Sequence, residues 1–274
     1  MKYASYLRPD GVASFGRLER DTLVDLGDAA TDLRTALEQG ALARLNGSTR
    51  FQLEEVQLLP VVPNPRKIIC VGHNYESHVI ETGRAKAEYP SIFVRWADTL
   101  VAHGQPIVRP ACSTQLDYEA EFAVIIGKTG RHIAENEAAD FIAGYSCFND
   151  ASVRDWQWHT SQFTPGKNFP ATGGLGPFLV TPDECPDLSR SRVISRLNGQ
   201  VMQDQPVQDM IFPIARILAY TSQFTSLSPG DVIATGTPGG VGAKRQPPVW
   251  MKPGDRIEIE VEGVGMLTNG VRDE

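Results

Sequence analysis

The stretch Asp117-Tyr118-Glu119-Ala120-Glu121-Phe122-Ala123-Val124-Ile125-Ile126-Gly127 reads as a strand whose apolar run is closed by a glycine. Side chains alternate across a strand, so Glu119, Glu121, Ala123 and Ile125 share one face. Two carboxylates beside core residues raise each other's pKa and resist burial, so a covered face needs positive charge next to them. A metal ion meets that need. Taken alone, the pair also fits a strand end fraying into solvent with two hydrated glutamates.

Asp150 supplies a third carboxylate at the end of the apolar strand Gly144-Tyr145-Ser146-Cys147-Phe148-Asn149. The following Ala151-Ser152-Val153-Arg154-Asp155 reads as the start of a short helix, with Ser152 and Asp155 at capping-box spacing. Asp150 by itself would equally serve as a turn or capping residue. With Glu119 and Glu121 it makes a set of three oxygen ligands without Cys or His. Such a set suits a hard cation, Mg²⁺, Mn²⁺ or Ca²⁺, rather than zinc, and leaves positions open for water and substrate.

Three further segments carry chemistry. From Cys70 to Gly83 a strand runs into a short helix that Gly83 ends, and His78 and Glu81 are i,i+3 neighbours on it. They make a general-base dyad or, on an ordinary surface helix, a solvated pair. Thr164 to Pro177 is too rich in Gly and Pro for regular structure and reads as an ordered loop carrying one cation, Lys167. Ala234 to Gly242 is a second such loop, whose N–H groups and Thr237 hydroxyl could receive a carboxylate. It lacks the GK[ST] ending of a phosphate-binding loop, and no GxGxxG follows a strand.

Elsewhere the pattern is of short strands and turns. Lys2–Leu7, 12–18 and 22–26 read as strands and Asp32 to Leu45 as a helix, together a small N-terminal α+β domain over residues 1–62. The three prolines at 60, 63 and 65 keep the chain extended and place the boundary there, with a β-rich main domain over 63–274. Pro229-Gly230-Asp231 and Pro253-Gly254-Asp255 are turns preceding strands, and Ile257, Ile259 and Val261 alternate with charged residues. The fold class is therefore α+β and β-rich.

Composition narrows the function. A net charge of -7 and a pI near 5.3, without a Lys/Arg run, argue against a nucleic-acid partner. No apolar run approaches the ~18 residues of a membrane span, and the first residues lack a secretory core, so a cytoplasmic protein without a membrane partner is expected. The four cysteines, at 70, 112, 147 and 185, are too widely spaced for a zinc or redox motif and read as buried free thiols.

Taken together, these segments resemble the fumarylacetoacetate hydrolase family between about Lys67 and Asn269. The resemblance rests on Gly72-x-Asn74-Tyr75-x-x-His78-x-x-Glu81, Asp117-Tyr118-Glu119-x-Glu121, Asn149-Asp150-x-Ser152-x-Arg154-Asp155, Gly166-Lys167-x-Phe169, Asn198-Gly199 and Thr235-Gly236-Thr237-Pro238-x-Gly240-Val241-Gly242. It implies a mixed β-roll built around a metal, a homodimer, a metal triad of Glu119, Glu121 and Asp150, and catalytic His78, Glu81 and Lys167. It also implies substrate contacts at Arg154, Gln157 and Thr237. Arg95-Trp96 stands where many members have Lys-Pro, and Arg95 is expected at the substrate. The implied substrate is a small 2-oxo acid, chelated by Mg²⁺ so that enolate charge at C3 is stabilised. The expected reaction is cleavage of an acylpyruvate, such as a fumarylpyruvate- or maleylpyruvate-like compound of aromatic catabolism, to pyruvate and an acid. Oxaloacetate decarboxylation and isomerase or hydratase chemistry are the alternatives, and a non-catalytic binding protein a remote one.

Overall fold

The strand Ala120–Ile126 is buried at every position and lies at the heart of the chain, for which a computed structural model describes residues 1–185 and 187–274. From Phe122 to Ile126 it is continuously apolar, as a strand with both edges paired and both faces covered requires. Ile142–Asp150 and Val232–Ala234 run antiparallel on either side of it. Phe122, Val124 and Ile126 enter one hydrophobic core, while Ala123 and Ile125 enter another, as the period of two requires.

These strands belong to a twelve-stranded sheet. Its main path runs Arg50–Gln52, Thr22–Asp25, Ala13–Glu19, Lys2–Leu7, Gly173–Val180, Ile142–Asp150, Ala120–Ile126, Val232–Ala234, Ile68–Gly72 and Ser91–Arg95. A second sheet of five strands, Gln200–Pro206, Arg192–Leu197, Arg256–Val261, Gly265–Asp273 and Ile107–Arg109, shares the first core: Val193, Ile257, Ile259 and Leu267 cluster with Phe122 and Val124. The architecture is the β-rich α+β fold expected from the sequence. Gly230 and Gly254 take φ of 81° and 89° in their turns, and Arg256–Val261 alternates buried and more exposed positions as anticipated. No described helix is long and apolar enough to cross a membrane.

Residues 1–62 do not stand apart from the rest. Lys2–Leu7 hydrogen-bonds along Gly173–Val180, and Tyr3, Phe15 and Leu33 share one core with Ile125 and Phe148. The proline-rich stretch at the expected boundary is itself partly interior, with Val61 and Val62 in that core. It acts as a connection within one continuous sheet.

Four local expectations are corrected. The helix expected from Asp32 to Leu45 is Leu33–Glu38 plus a 3-10 turn Leu42–Arg44, interrupted where Gly40 turns the chain at φ 61°. The capping box at Ser152 and Asp155 does not form. Ser152–Val153 instead pairs with Leu116–Asp117, and the Ser152 hydroxyl donates to the Asp150 carbonyl. The loop expected from Thr164 to Pro177 contains a helical turn, Thr164–Lys167, and the start of strand Gly173–Val180. Glycine is needed in that strand because a Cβ on Gly173 would lie 3.0 Å from Arg95 Nε, and one on Gly174 3.0 Å from Asn269 Oδ1. Finally, Cys112 is exposed while the other three cysteines are buried.

Candidate active site

Antiparallel pairing sets Glu121 opposite Phe148, so Asp150, two residues further along, projects from the same face as both glutamates. Glu119, Glu121 and Asp150 are buried, and each offers an oxygen within 4.8 Å of the others. Cations crowd two of them. Glu119 accepts from Arg154 Nη1 at 2.6 Å and from Lys167 Nζ at 2.7 Å. Asp150 accepts from Arg95 Nη1 at 2.6 Å and from Lys167 Nζ at 2.6 Å.

Glu121 is different. Its hydrogen bond comes from the Gly236 N–H at 2.9 Å, and among the described residues no Lys or Arg pairs with it. Burial, reinforced by Asp150 and Glu119, pushes its carboxyl well above the usual range. For Glu119 burial acts in the same upward sense, but Lys167 and Arg154 outweigh it and hold the group below the ordinary value. Lys167 stays charged: burial would lower its pKa, but Asp150 and Glu119 raise it further. A buried triad in which one carboxylate lacks a counter-charge fits a divalent cation with oxygen ligands.

Arg95 does not reach the cavity. Its side chain is fully enclosed, bonding Asp150 Oδ1, the Ala151 carbonyl and Thr172 Oγ1, so the sequence expectation of a substrate contact is corrected. It orients Asp150 from behind. Arg95→Met is expected to weaken divalent-cation affinity by ~10- to 100-fold, the usual cost of losing a partner that orients a metal ligand. Calorimetric titration with Mg²⁺ measures this, and unchanged affinity would remove Arg95 from that role.

The helix Glu76–Thr82 ends at Gly83, whose φ of 68° stops it as expected. His78 Nδ1 lies 2.6 Å from Glu81 Oε1, and Gly240 N–H donates to Glu81 Oε2 at 2.8 Å. A carboxylate only accepts, so Nδ1 carries the proton and Nε2 keeps its lone pair for the cavity that His78 lines. Ser77 Oγ accepts from Gly239 N–H and fastens the helix to the second glycine loop. That loop is conformationally demanding: Gly236 has φ 102°, and a Cβ there would lie 2.6 Å from Asn74 Cβ.

The cavity measures about 110 Å³ and is lined by Glu119 and Glu121 of the acidic triad, with Lys167 and Arg154 beside them. Arg154 is tied to Asp117 by Nε and to Gln157 and Glu119 by Nη1, while its buried Nη2 has no partner. A buried unmatched guanidinium N–H in a cavity is a donor waiting for a ligand oxygen. Thr237 lines the cavity too, but its hydroxyl proton goes to the Ala120 carbonyl and its oxygen accepts from Gln203 Nε2. The hydroxyl is thus a brace between loop and strand rather than a free donor. Gln157 likewise spends its carbonyl oxygen on Arg154.

Sequence reasoning missed several groups. His73 stacks on His78 with ring centroids 5.2 Å apart, and burial followed by the proximity of His78 brings its pKa down to about 4. It adds a neutral ring to the cavity wall. Its φ of 56°, unusual for a non-glycine residue, is the kind of conformation no sequence spacing announces. Phe163, Trp158, Arg84 and Lys244 also line the cavity.

Residues 67–272 match the sequence profile described as fumarylacetoacetate (FAA) hydrolase C-terminal. The chain belongs to the fumarylacetoacetate hydrolase family. A human relative named oxaloacetate tautomerase FAHD2A, mitochondrial, is 40% identical over 219 residues, covering 79% of this chain and 70% of that protein. Among solved structures, a fumarylacetoacetate hydrolase from Exiguobacterium antarcticum superposes with a TM-score of 0.88 at 35% identity, over 100% of both chains. A maleylpyruvate hydrolase from Sphingobium sp. SYK-6 gives 0.82 at 27% identity, again over 100% of both. Within this fumarylacetoacetate hydrolase framework Glu119, Glu121, Lys167 and His78 line one cavity, with Asp150 bonded to Lys167 and Glu81 to His78 behind its wall.

Proposed function

We propose that this family member catalyses divalent-metal-dependent proton transfer at C3 of a short 2-oxo dicarboxylic acid of the oxaloacetate type, interconverting enol and keto forms. The observation that carries the reading is the cavity: about 110 Å³ is small against the ~300–1,000 Å³ of typical ligand pockets, which favours a four-carbon acid over a long acyl chain. The name of the human relative supports the same choice. A cation held by Glu119, Glu121 and Asp150, with Mg²⁺ the first candidate, would supply Lewis-acid polarisation of the 2-oxo group.

The protein's own residues do the rest. Arg154 Nη2 offers its free N–H to a substrate oxygen, and the Lys167 ammonium sits where negative charge on the 2-oxo oxygen is favoured. In the keto-to-enol direction His78 Nε2 takes a proton from C3 and Glu81 stabilises the transient imidazolium. The imidazolium passes that proton to the 2-oxo oxygen, which completes the enol and restores the neutral ring; the enol-to-keto direction reverses these transfers. This reading includes a homodimer, the assembly implied by the family resemblance.

Hydrolysis of an acylpyruvate is the second reading. The same dyad could deprotonate a water for attack at C4, and the likeness to a maleylpyruvate hydrolase favours it. The deciding experiment gives the Mg²⁺-loaded protein enol-oxaloacetate, acetylpyruvate and fumarylpyruvate, following enol decay and pyruvate release. Accelerated enol decay that a chelator abolishes is expected. Pyruvate release from the acylpyruvates without enol–keto acceleration would replace the tautomerase reading by the hydrolase one.

A further inference from the structure

The cations near the metal triad, Lys167, Arg154 and Arg95, are all matched by carboxylates. Those at the outer end of the cavity are not. Arg84 and Lys244 line the same cavity, both exposed, and among the described residues neither forms an ion pair. Each is placed by an aromatic ring: Arg84 Cζ lies 5.5 Å from the centre of Phe163, and Lys244 Nζ 6.0 Å from that of Trp158. Phe163 is itself held against Phe93 and His73 at 5.6 and 6.0 Å. Trp158, 51% exposed, is a large apolar side chain left at the rim of this cavity.

Two unpaired cations on aromatic supports at one end, and metal-ligating carboxylates with an unmatched Arg154 N–H at the other, make a cavity polarised for an anion at each end. We infer that Arg84 and Lys244 clamp the distal carboxylate of the substrate, so that the cavity selects 2-oxo dicarboxylic acids over acids with a neutral tail. The inference rests on the proposed function and adds the residues that set specificity. It has a dynamic consequence as well. Arg84 follows the Gly83 cap of the helix that bears His78 and Glu81, and its N–H bonds the Val79 carbonyl of that helix. A carboxylate held by Arg84 therefore also holds His78 over C3, which turns remote binding energy into placement of the base.

The test compares 3,3-difluorooxaloacetate, which has no C3 proton to lose, with its 4-methyl ester. Binding to the Mg²⁺-loaded protein is measured by calorimetry in the wild type and in an Arg84→Gln/Lys244→Met double variant. The wild type is expected to bind the diacid about 10- to 100-fold more tightly than the ester, the worth of charge-assisted hydrogen bonds, and the double variant to lose that preference. With oxaloacetate itself, Arg84→Gln should lower kcat as well as raise KM, whereas Lys244→Met should act mainly on KM. If the wild type binds diacid and ester equally, or the double variant keeps the preference, the clamp is wrong and the proposed reaction still stands. Failure of the wild type to bind either compound overturns both.

Discussion

Glu121→Gln is expected to weaken Mg²⁺ binding by at least ~100-fold and to abolish turnover, while making the metal-free protein more stable. The two effects have one cause. Glu121 is a buried carboxylate that receives one backbone N–H and, among the described residues, no paired cation; Lys167 acts on it without bonding to it, and burial with Asp150 and Glu119 outweighs that help. Gln keeps the shape and can accept from Gly236, but it brings no charge to bury. The gain in the metal-free state should be about 1–3 kcal/mol near neutral pH. Its sign also depends on pH. A carboxyl whose folded pKa is raised contributes most favourably below the ordinary carboxylate range, and that contribution is lost as pH rises through the folded value. The advantage of Gln should thus shrink on acidification. Thermal melts in chelator across the pH range, beside calorimetric Mg²⁺ titrations, measure both. A variant that binds Mg²⁺ like the wild type would remove Glu121 from the ligand set.

The second large effect concerns the base. His78→Ala is expected to lower kcat by ~10²- to 10⁴-fold with little change in Mg²⁺ affinity, the usual range for losing a general acid–base group. Glu81→Gln should be nearly as damaging although the ring remains. An amide can donate to Nδ1, which moves the imidazole proton to Nε2 and leaves no lone pair facing the cavity. The pair of variants separates chemistry from packing. If Glu81→Gln keeps more than about a tenth of wild-type kcat, the carboxylate does not set the tautomer.

Much of this site was legible in the sequence because its chemistry sits at strand and helix spacing. Alternation along Glu119-Ala120-Glu121 put two carboxylates on one face, and the i,i+3 step from His78 to Glu81 made a pair that the helix Glu76–Thr82 brings to 2.6 Å. Turn chemistry at Gly83, Gly230 and Gly254 was equally readable, since a left-handed φ is a local demand.

What the sequence by itself determined, then, was the β-rich class, the family and which residue types gather at the candidate site, all properties of residue type at short spacing. Tertiary structure alone decided how the charges are shared. Arg95 reads like a candidate substrate contact, but pairing of Ile68–Gly72 with Ser91–Arg95 carries it behind Asp150, 55 positions away. Lys167 looked like a loop cation until the turn Thr164–Lys167 buried it between Glu119 and Asp150. The N-terminal strands read locally as a small α+β unit, and only the pairing of Lys2–Leu7 with Gly173–Val180 joins them to the main sheet. In each case the deciding contact joins residues far apart in the chain, and whether a charge is matched or free depends on such contacts and on the burial they create.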